Sequence, residues 1–497
     1  MKNLVAQLEK VIKRMRWKAL FFLKDESRYK DTFNEIEFYD KEETYGFKTE
    51  RKPMAIKEME LFEKACYDVA RNIVFRQNYT GGKFQKTLNK ICHDIKKSGK
   101  VIIPGDKSNY YYACEPQEYR NIERKCVEKE YTMSSNEEVT KINLEEKDIA
   151  VSLKLENRNQ KYTMSDAFFT LKDQKANFTT RPQFRVINPA KPQLGRIAQI
   201  KLENINREIR YTTGFNQWQS TQNVLDWFKN IKNPKSYAFL KFDIVIYYPL
   251  IKSDLFRKAI DYARSVNGIV IPKADVNIML QCRKSFLFCE GVPWVKLSQE
   301  NFDVPQGCYD GAEVCEIVGL YLLDKLTQAK TPLFEIQNIG LYRDDGLALI
   351  KINQNGRTSA RLMTPKLNEI FNKEGLKITV DDASQVVEYL DIMLNLDTHT
   401  HEPFCKPNSN PIYVHIDSNH PKRIKDHIPK MIEQRISDYS SNKMIFERCK
   451  HIYQKALQDA GYKYVLKYQP PKPMKRKCNR NIIYFLLAQT LSKCSLA

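Results

Sequence analysis

The sequence predicts an α+β fold: an antiparallel sheet packed on helices, preceded by a helical N-terminal region. Two apolar segments near the middle, "YAFLKFDIVIYYPLI" (Tyr237–Ile251) and "NIGLYRDDGLALIKI" (Asn338–Ile352), read as buried strands, the first holding one unexplained aspartate and the second two. Around them, apolar residues recur at helical spacing. Of the 497 residues, 42% are hydrophobic, enough for a sizeable core.

In chain order, "LEKVIKRMRWKALFFL" and "IKEMELFEKACYDVARNIVF" read as amphipathic helices with basic or charged outer faces. "VIIPGDKSNYYYAC" (Val101–Cys114) reads as two short strands around a Gly-Asp turn. The next stretch, to about Asp166, is charge-dense and helical. "TTRPQFRVINPAKPQLGRI" alternates and carries prolines, as edge strands and loops do. "TQNVLDWFKNI" is a helix, and Tyr237–Ile251 a strand ending at a proline. "VPQGCYDGAEVCEIVGLYLLDKL" is a loop entering a helix with Val314, Ile317, Val318, Tyr321 and Leu322 on one face. Asn338–Ile352 reads as a hairpin turning at Asp345-Gly346. "TPKLNEIFNKEG" is a helix capped by Thr364, with Pro365 in its first turn and Gly375 at its end. "VVEYLDIMLNL" returns to strand, and the chain beyond Ser418 is helical until a basic, Pro-rich linker.

Composition narrows the function. A net charge of +21 points to a polyanionic partner, nucleic acid before membrane. Twelve cysteines occur without any C-x-x-C pair, which argues against zinc ribbons and a disulfide scaffold. His415, His420, His427 and Cys405 match no standard zinc spacing. No apolar run reaches the ~20 residues of a membrane span, so a soluble intracellular protein is expected. The basic "KPMKRKCNR" fits a nuclear-entry signal or a solvated linker equally, and the nucleus is expected before the cytoplasm.

Adjacent aspartates in an apolar segment need compensation by donors, a cationic partner or a metal. Arg343 precedes Asp344, but neighbours on a strand point to opposite faces. A divalent cation is the better candidate, because Mg²⁺ takes one or two protein carboxylates and completes its shell with water and substrate phosphates. Asp243 is a third acid in the other apolar strand. Side by side, the two strands would offer Asp243, Asp344 and Asp345 to two cations.

"FDIVIYYP", "VPQG" and "YRDD", in that order, resemble the palm motifs of reverse transcriptases. "RPQFRVINPAK" resembles their fingers segment, and "GLKITVDDASQVVEYLDIMLNL" their late palm strands. "DKSNYYYACEPQEY" and "SNHP…IP…R" are similar to segments of Penelope-like retroelement reverse transcriptases. The resemblance spans about residues 60–465 and implies a right-hand polymerase of fingers, palm and thumb. It would comprise a helical N-terminal region (1–100), fingers and N-terminal extension (101–236), palm (237–417), thumb (418–469) and basic tail (470–497).

The implied activity is DNA synthesis on an RNA template, by two-metal nucleotidyl transfer to a primer 3′-hydroxyl. Its partners would be RNA template, DNA primer and deoxynucleoside triphosphates, with two Mg²⁺ ions, or Mn²⁺, as cofactor; the oligomeric state stays open. Asp243 and Asp344 would be the shared metal ligands and Asp345 the helper. Arg185, with Lys107, would meet the incoming triphosphate, and Tyr248 would exclude a ribose 2′-OH. Gln306 and Gly307 would sit against the templating pair. Lys425, Lys430, Arg435, Lys443 and Arg448 would meet duplex phosphates. Many Penelope-like proteins carry a C-terminal GIY-YIG endonuclease, and no segment here supplies it. The alternative is therefore a catalytically silent nucleic-acid-binding relic or a maturase-like RNA-binding factor.

Overall fold

The computed structural model describes residues 2–23, 55–73, 79–106, 108, 110–156, 162, 164–173, 177–297, 301–329, 338–352, 360–406 and 411–470. Lys107 and the basic tail lie outside the described residues. The chain divides into two compact units, Met1–Val387 and Glu388–Ala497.

The first unit opens with helices α1 (Lys2–Leu23), α2 (Lys57–Arg71) and α3 (Tyr79–Ser98). Arg16 of α1 pairs with Glu63 of α2, and Ile12, Trp17 and Met59 are buried. Strands β1 (Val101–Pro104) and β2 (Tyr111–Cys114) form the expected hairpin. Helix α4 (Pro116–Glu128), strand β3 (Tyr131–Met133) and helix α5 (Asn136–Ser152) follow. A second hairpin joins β4 (Phe168–Leu171) to β5 (Phe184–Ile187), and a bridge from Gly105 to Leu171 ties it to the first.

Next come α6 (Gly195–Thr213), β6 (Asn216–Gln217), α7 (Thr221–Lys229), β7 (Tyr237–Ile244) and the short α8 (Tyr247–Leu250). Helices α9 (Ser253–Ser265) and α10 (Lys273–Gln281) lead to β8 (Phe286–Cys289) and β9 (Val292–Lys296). Then follow α11 (Gly311–Gln328), β10 (Ile339–Tyr342), β11 (Asp345–Lys351), α12 (Ala360–Lys373) and β12 (Ile378–Val380). The architecture is α+β, the class the sequence predicts. Its main sheet runs β12-β7-β11-β10-β6, antiparallel except where β10 meets β6.

One face of that sheet packs on helices. Leu240, Phe242 and Ile244 of β7 share a core with Ile197 and Leu202 of α6, Phe256 of α9 and Phe371 of α12. Helix α11 runs through this core. Val314, Ile317, Val318, Tyr321 and Leu322 are buried as expected, but so are Cys315, Leu320, Leu323 and Leu326, so the helix is enclosed on all sides.

Several expectations are corrected. The strand expected over Tyr237–Ile251 stops at Ile244, where its ladders to β11 and β12 end. Ile246 then takes a φ of +53°, and Leu250 N–H donates to Ile246 O at 3.3 Å, closing α8. The hairpin turns at Arg343-Asp344, not at Asp345-Gly346, because Tyr342 pairs with Asp345. Arg343 supplies the positive φ, +55°. Gly346 serves packing instead: a Cβ there would lie 2.1 Å from Phe242 Cζ. Thr364 is no cap, since α12 already runs at Ala360 and Thr364 Oγ1 donates back to Ala360 O at 3.1 Å. The stop at Gly375 holds, with Leu376 N–H donating to Phe371 O at 2.9 Å.

The sheet β3-β9-β8 was not anticipated. Its signal was the turn Glu290-Gly291 between two apolar runs, with φ of +52° and +73°. "VVEYLDIMLNL" is also two strands rather than one. β13 (Val386–Tyr389) and β14 (Ile392–Asn395) break at Leu390, φ +53°, and form a separate sheet with β15 (Thr400–Pro403). The second unit continues with α13 (Lys422–Asp438) and α14 (Lys443–Asp459). Phe446 and Leu457 of α14 pack there against Ile432 and Ile436 of α13.

Candidate active site

Alternation along β7 sends Leu240, Phe242 and Ile244 into the helical core and Lys241 and Asp243 to the other face. Register then fixes the acids. Asp243 lies directly across from Asp345 of β11, and antiparallel partners share a face with Cβ atoms about 5 Å apart. Asp344 occupies the two-residue turn beyond, its carbonyl accepting from Ile244 N–H at 2.9 Å. Arg343 sits in the turn rather than on a strand, so the alternation expected of it does not apply. Its guanidinium lies over the Tyr342 ring, 5.7 Å from the centroid.

Asp243 and Asp344 line a cleft of about 690 Å³, together with Arg185, Tyr248 and Gln306. Asp345 and Gly307 lie beside these residues in sequence and in space. Burial pushes the Tyr248 phenol well above its ordinary value; the nearby Cys315 thiol and Asp344 add to this and Arg343 opposes it. Tyr248 therefore presents a neutral ring to the cleft. Arg185, on β5, pairs through Nε with Asp106 Oδ1 at 3.1 Å. Lys107 falls outside the described residues.

The loop carrying Gln306 is clamped from behind. Asn188 N–H donates to Gln306 O at 2.9 Å, and its side chain bonds Phe286 O and Ala190 N–H. Gly307, φ +115°, lets this happen, since a Cβ would lie 2.4 Å from Asn188 O. The close approach expected of Gly307 is thus made to Asn188. Sequence reasoning missed Asn188, and also Lys125, Lys129 and Lys172, which line the cleft together with Glu130 and Asp303. Lys125 lies in the last turn of α4 and Lys129 at its C-cap, an i, i+4 spacing that was an available signal.

Beneath the cleft lies a polar network with no obvious sequence signature. Arg283 and Asp310 are both fully buried and paired, joining the end of α10 to the start of α11. Burial pushes the Asp310 carboxyl up, and Arg283 pulls against that. Tyr131 Oη donates to buried Asp303 Oδ2 at 2.9 Å. Such a pair is costly to break one partner at a time.

The basic residues expected on the thumb lie in the second unit. Lys425, Lys430 and Arg435 are on α13, and Lys443 and Arg448 on α14. Arg435 pairs with Asp391 at 2.6 Å, Arg448 pairs with Glu402, and Lys425 donates to Ser418 O at 3.0 Å. Exposed pairs of this kind are weak enough for a phosphate to replace.

Among the described residues, no group of three or more His, Cys, Asp or Glu side chains is close enough to hold a metal ion. A ready-made cage is therefore not formed. Two carboxylates facing one cleft still match Mg²⁺, which binds few protein oxygens and takes the rest from water and phosphate.

No protein-family model and no curated protein matches the chain. Among solved structures it is similar to a telomerase from Candida albicans in complex with a fragment of telomeric RNA. The identity is 12%, over 82% of this chain and 68% of that one, with a TM-score of 0.49. An apo telomerase from Candida tropicalis is 11% identical over 93% of this chain and 87% of its own, TM-score 0.45. The Sicinivirus 3Dpol RNA-dependent RNA polymerase is 12% identical over 74% and 71%, TM-score 0.38.

Proposed function

We propose that the chain is a template-directed nucleic-acid polymerase of the right-hand type, and that it makes DNA on an RNA template. The observation that carries this reading is the register of β7 with β11. It sets Asp243 against Asp345, and Asp243 and Asp344 face a cleft that also presents Arg185, Tyr248 and Gln306. The ordered motifs "FDIVIYYP", "VPQG" and "YRDD" support the reverse-transcriptase assignment, and the flanking segments support a Penelope-like retroelement source.

In this reading Asp243 and Asp344, with Asp345 beside them, would hold two Mg²⁺ ions, which would supply activation of a primer 3′-hydroxyl and charge stabilisation for leaving pyrophosphate. Arg185 binds the triphosphate through charge-assisted hydrogen bonds. Tyr248 stands where a ribose 2′-OH would have to fit, and Gln306, braced by Asn188, supports the templating base. The cations of α13 and α14 bind duplex phosphates, and the basic tail directs the chain to the nucleus.

The test is primer extension by the full chain with Mg²⁺, comparing RNA with DNA templates and deoxynucleotides with ribonucleotides. DNA made on RNA is the expected outcome. Ribonucleotide incorporation would instead identify an RNA polymerase. Salt-sensitive RNA binding without extension would leave only the silent, nucleic-acid-binding reading.

A further inference from the structure

We infer that Asp106 is a positioning residue, which holds the Arg185 guanidinium at the cleft wall for the triphosphate of a nucleotide; this rests on the polymerase reading above. Asp106 lies two residues past the end of β1. Its backbone N–H donates to Leu171 O of β4 at 2.7 Å, so it is fixed to the neighbouring hairpin. Its carboxylate is only 3% exposed. One oxygen, Oδ1, accepts from Thr170 Oγ1 at 3.0 Å and pairs with Arg185 Nε at 3.1 Å.

Thr170 and Arg185 are direct cross-strand partners in the β4–β5 ladder, so both side chains leave the same face. Asp106 therefore straddles one rung of that ladder. The other oxygen, Oδ2, is buried with no hydrogen-bond partner among the described residues. A carboxylate this deep depends on its cation.

The consequence lies at the other end of the pair. Arg185 is 34% exposed and lines the same cleft as Asp243 and Asp344. The pairing is made through Nε, which leaves the end-on edge between the two terminal amino groups to meet phosphate oxygens. Tethering also removes rotamer freedom before any ligand arrives, so less is lost on binding. A lone surface arginine would lack this preorganisation.

The test is equilibrium binding of deoxythymidine triphosphate with Mg²⁺ to the full chain, read without catalysis. The wild type is compared with Asp106→Asn, Arg185→Gln and the double variant. Each single change should weaken binding about tenfold, the scale of one charge-assisted hydrogen bond. The double variant should lose no more than either alone, because Asp106 acts through Arg185. Asp106→Glu, which keeps the charge, should recover part of the loss.

Additive losses would assign Asp106 a merely structural role and overturn the inference. Wild-type affinity in Asp106→Asn would do the same, as would a wild-type chain that binds no triphosphate. If Asp106→Asn does not fold, Thr170→Val tests the same tether with both charges in place. It should weaken binding about threefold, and unchanged affinity would overturn the inference. A chain that binds triphosphate but extends no primer would refute the polymerase reading, with the binding cycle still deciding the role of Asp106.

Discussion

Tyr248 follows the left-handed turn at Ile246 and presents a half-buried ring to the cleft within reach of the Asp344 charge. In the proposed reading, removing the ring would open space at the sugar. Tyr248→Ala should therefore lower discrimination against ribonucleotides by about tenfold to a hundredfold while leaving deoxynucleotide incorporation measurable. Competition between paired nucleotides in primer extension checks this, and unchanged selectivity would remove Tyr248 as the gate. At this scale the sequence was most legible where a residue was out of character. Asp243, Asp344 and Asp345 stood out as acids in apolar strands. Asp106 did not, because a Gly-Asp pair reads as an ordinary turn and its partner Arg185 lies on a distant strand. The Arg283–Asp310 pair was hidden for the same reason, since neither residue breaks a local pattern.

Among the elements, the β10–β11 hairpin shows how a correct assignment can rest on the wrong residue. Asp-Gly is a common turn dipeptide, and the hairpin exists, but its turn is at Arg343-Asp344. The Phe242 ring decided the matter by occupying the space above Gly346. A turn at Asp345-Gly346 would also have removed Asp345 from its pairing with Asp243. Gly346→Ala should cost about 1–3 kcal/mol through overpacking, measured by urea unfolding. The double variant Gly346→Ala/Phe242→Leu should recover part of that loss. A Gly346→Ala variant as stable as the wild type would contradict the packing account. The β3-β9-β8 sheet was missed because its strands are brief and only tertiary pairing joins β3 to β9.

For the whole molecule, the charge excess of +21 was read directly from composition, but its distribution was not. Pairs such as Arg435–Asp391 and Arg448–Glu402 are neutral and add nothing to it. In the cleft the cations Lys125, Lys129, Lys172 and Arg185 are matched by Glu130, Asp243, Asp303 and Asp344, so the excess lies elsewhere on the chain. If the chain neutralises six or more phosphates, its affinity for RNA should fall by about a thousandfold between ~50 and ~200 mM salt. Titration of a labelled RNA duplex at several salt concentrations measures the slope. A flat response would mean that the excess is only a solvated surface.

The central claim is that the carboxylates of the β7–β11 rung and the adjoining turn run nucleotidyl transfer, and Asp344→Asn tests it most directly. In Mg²⁺-dependent primer extension on RNA, the variant should lose about a thousandfold or more in rate, while binding the primer–template as the wild type does. Extension by Asp344→Asn at the wild-type rate would contradict the account.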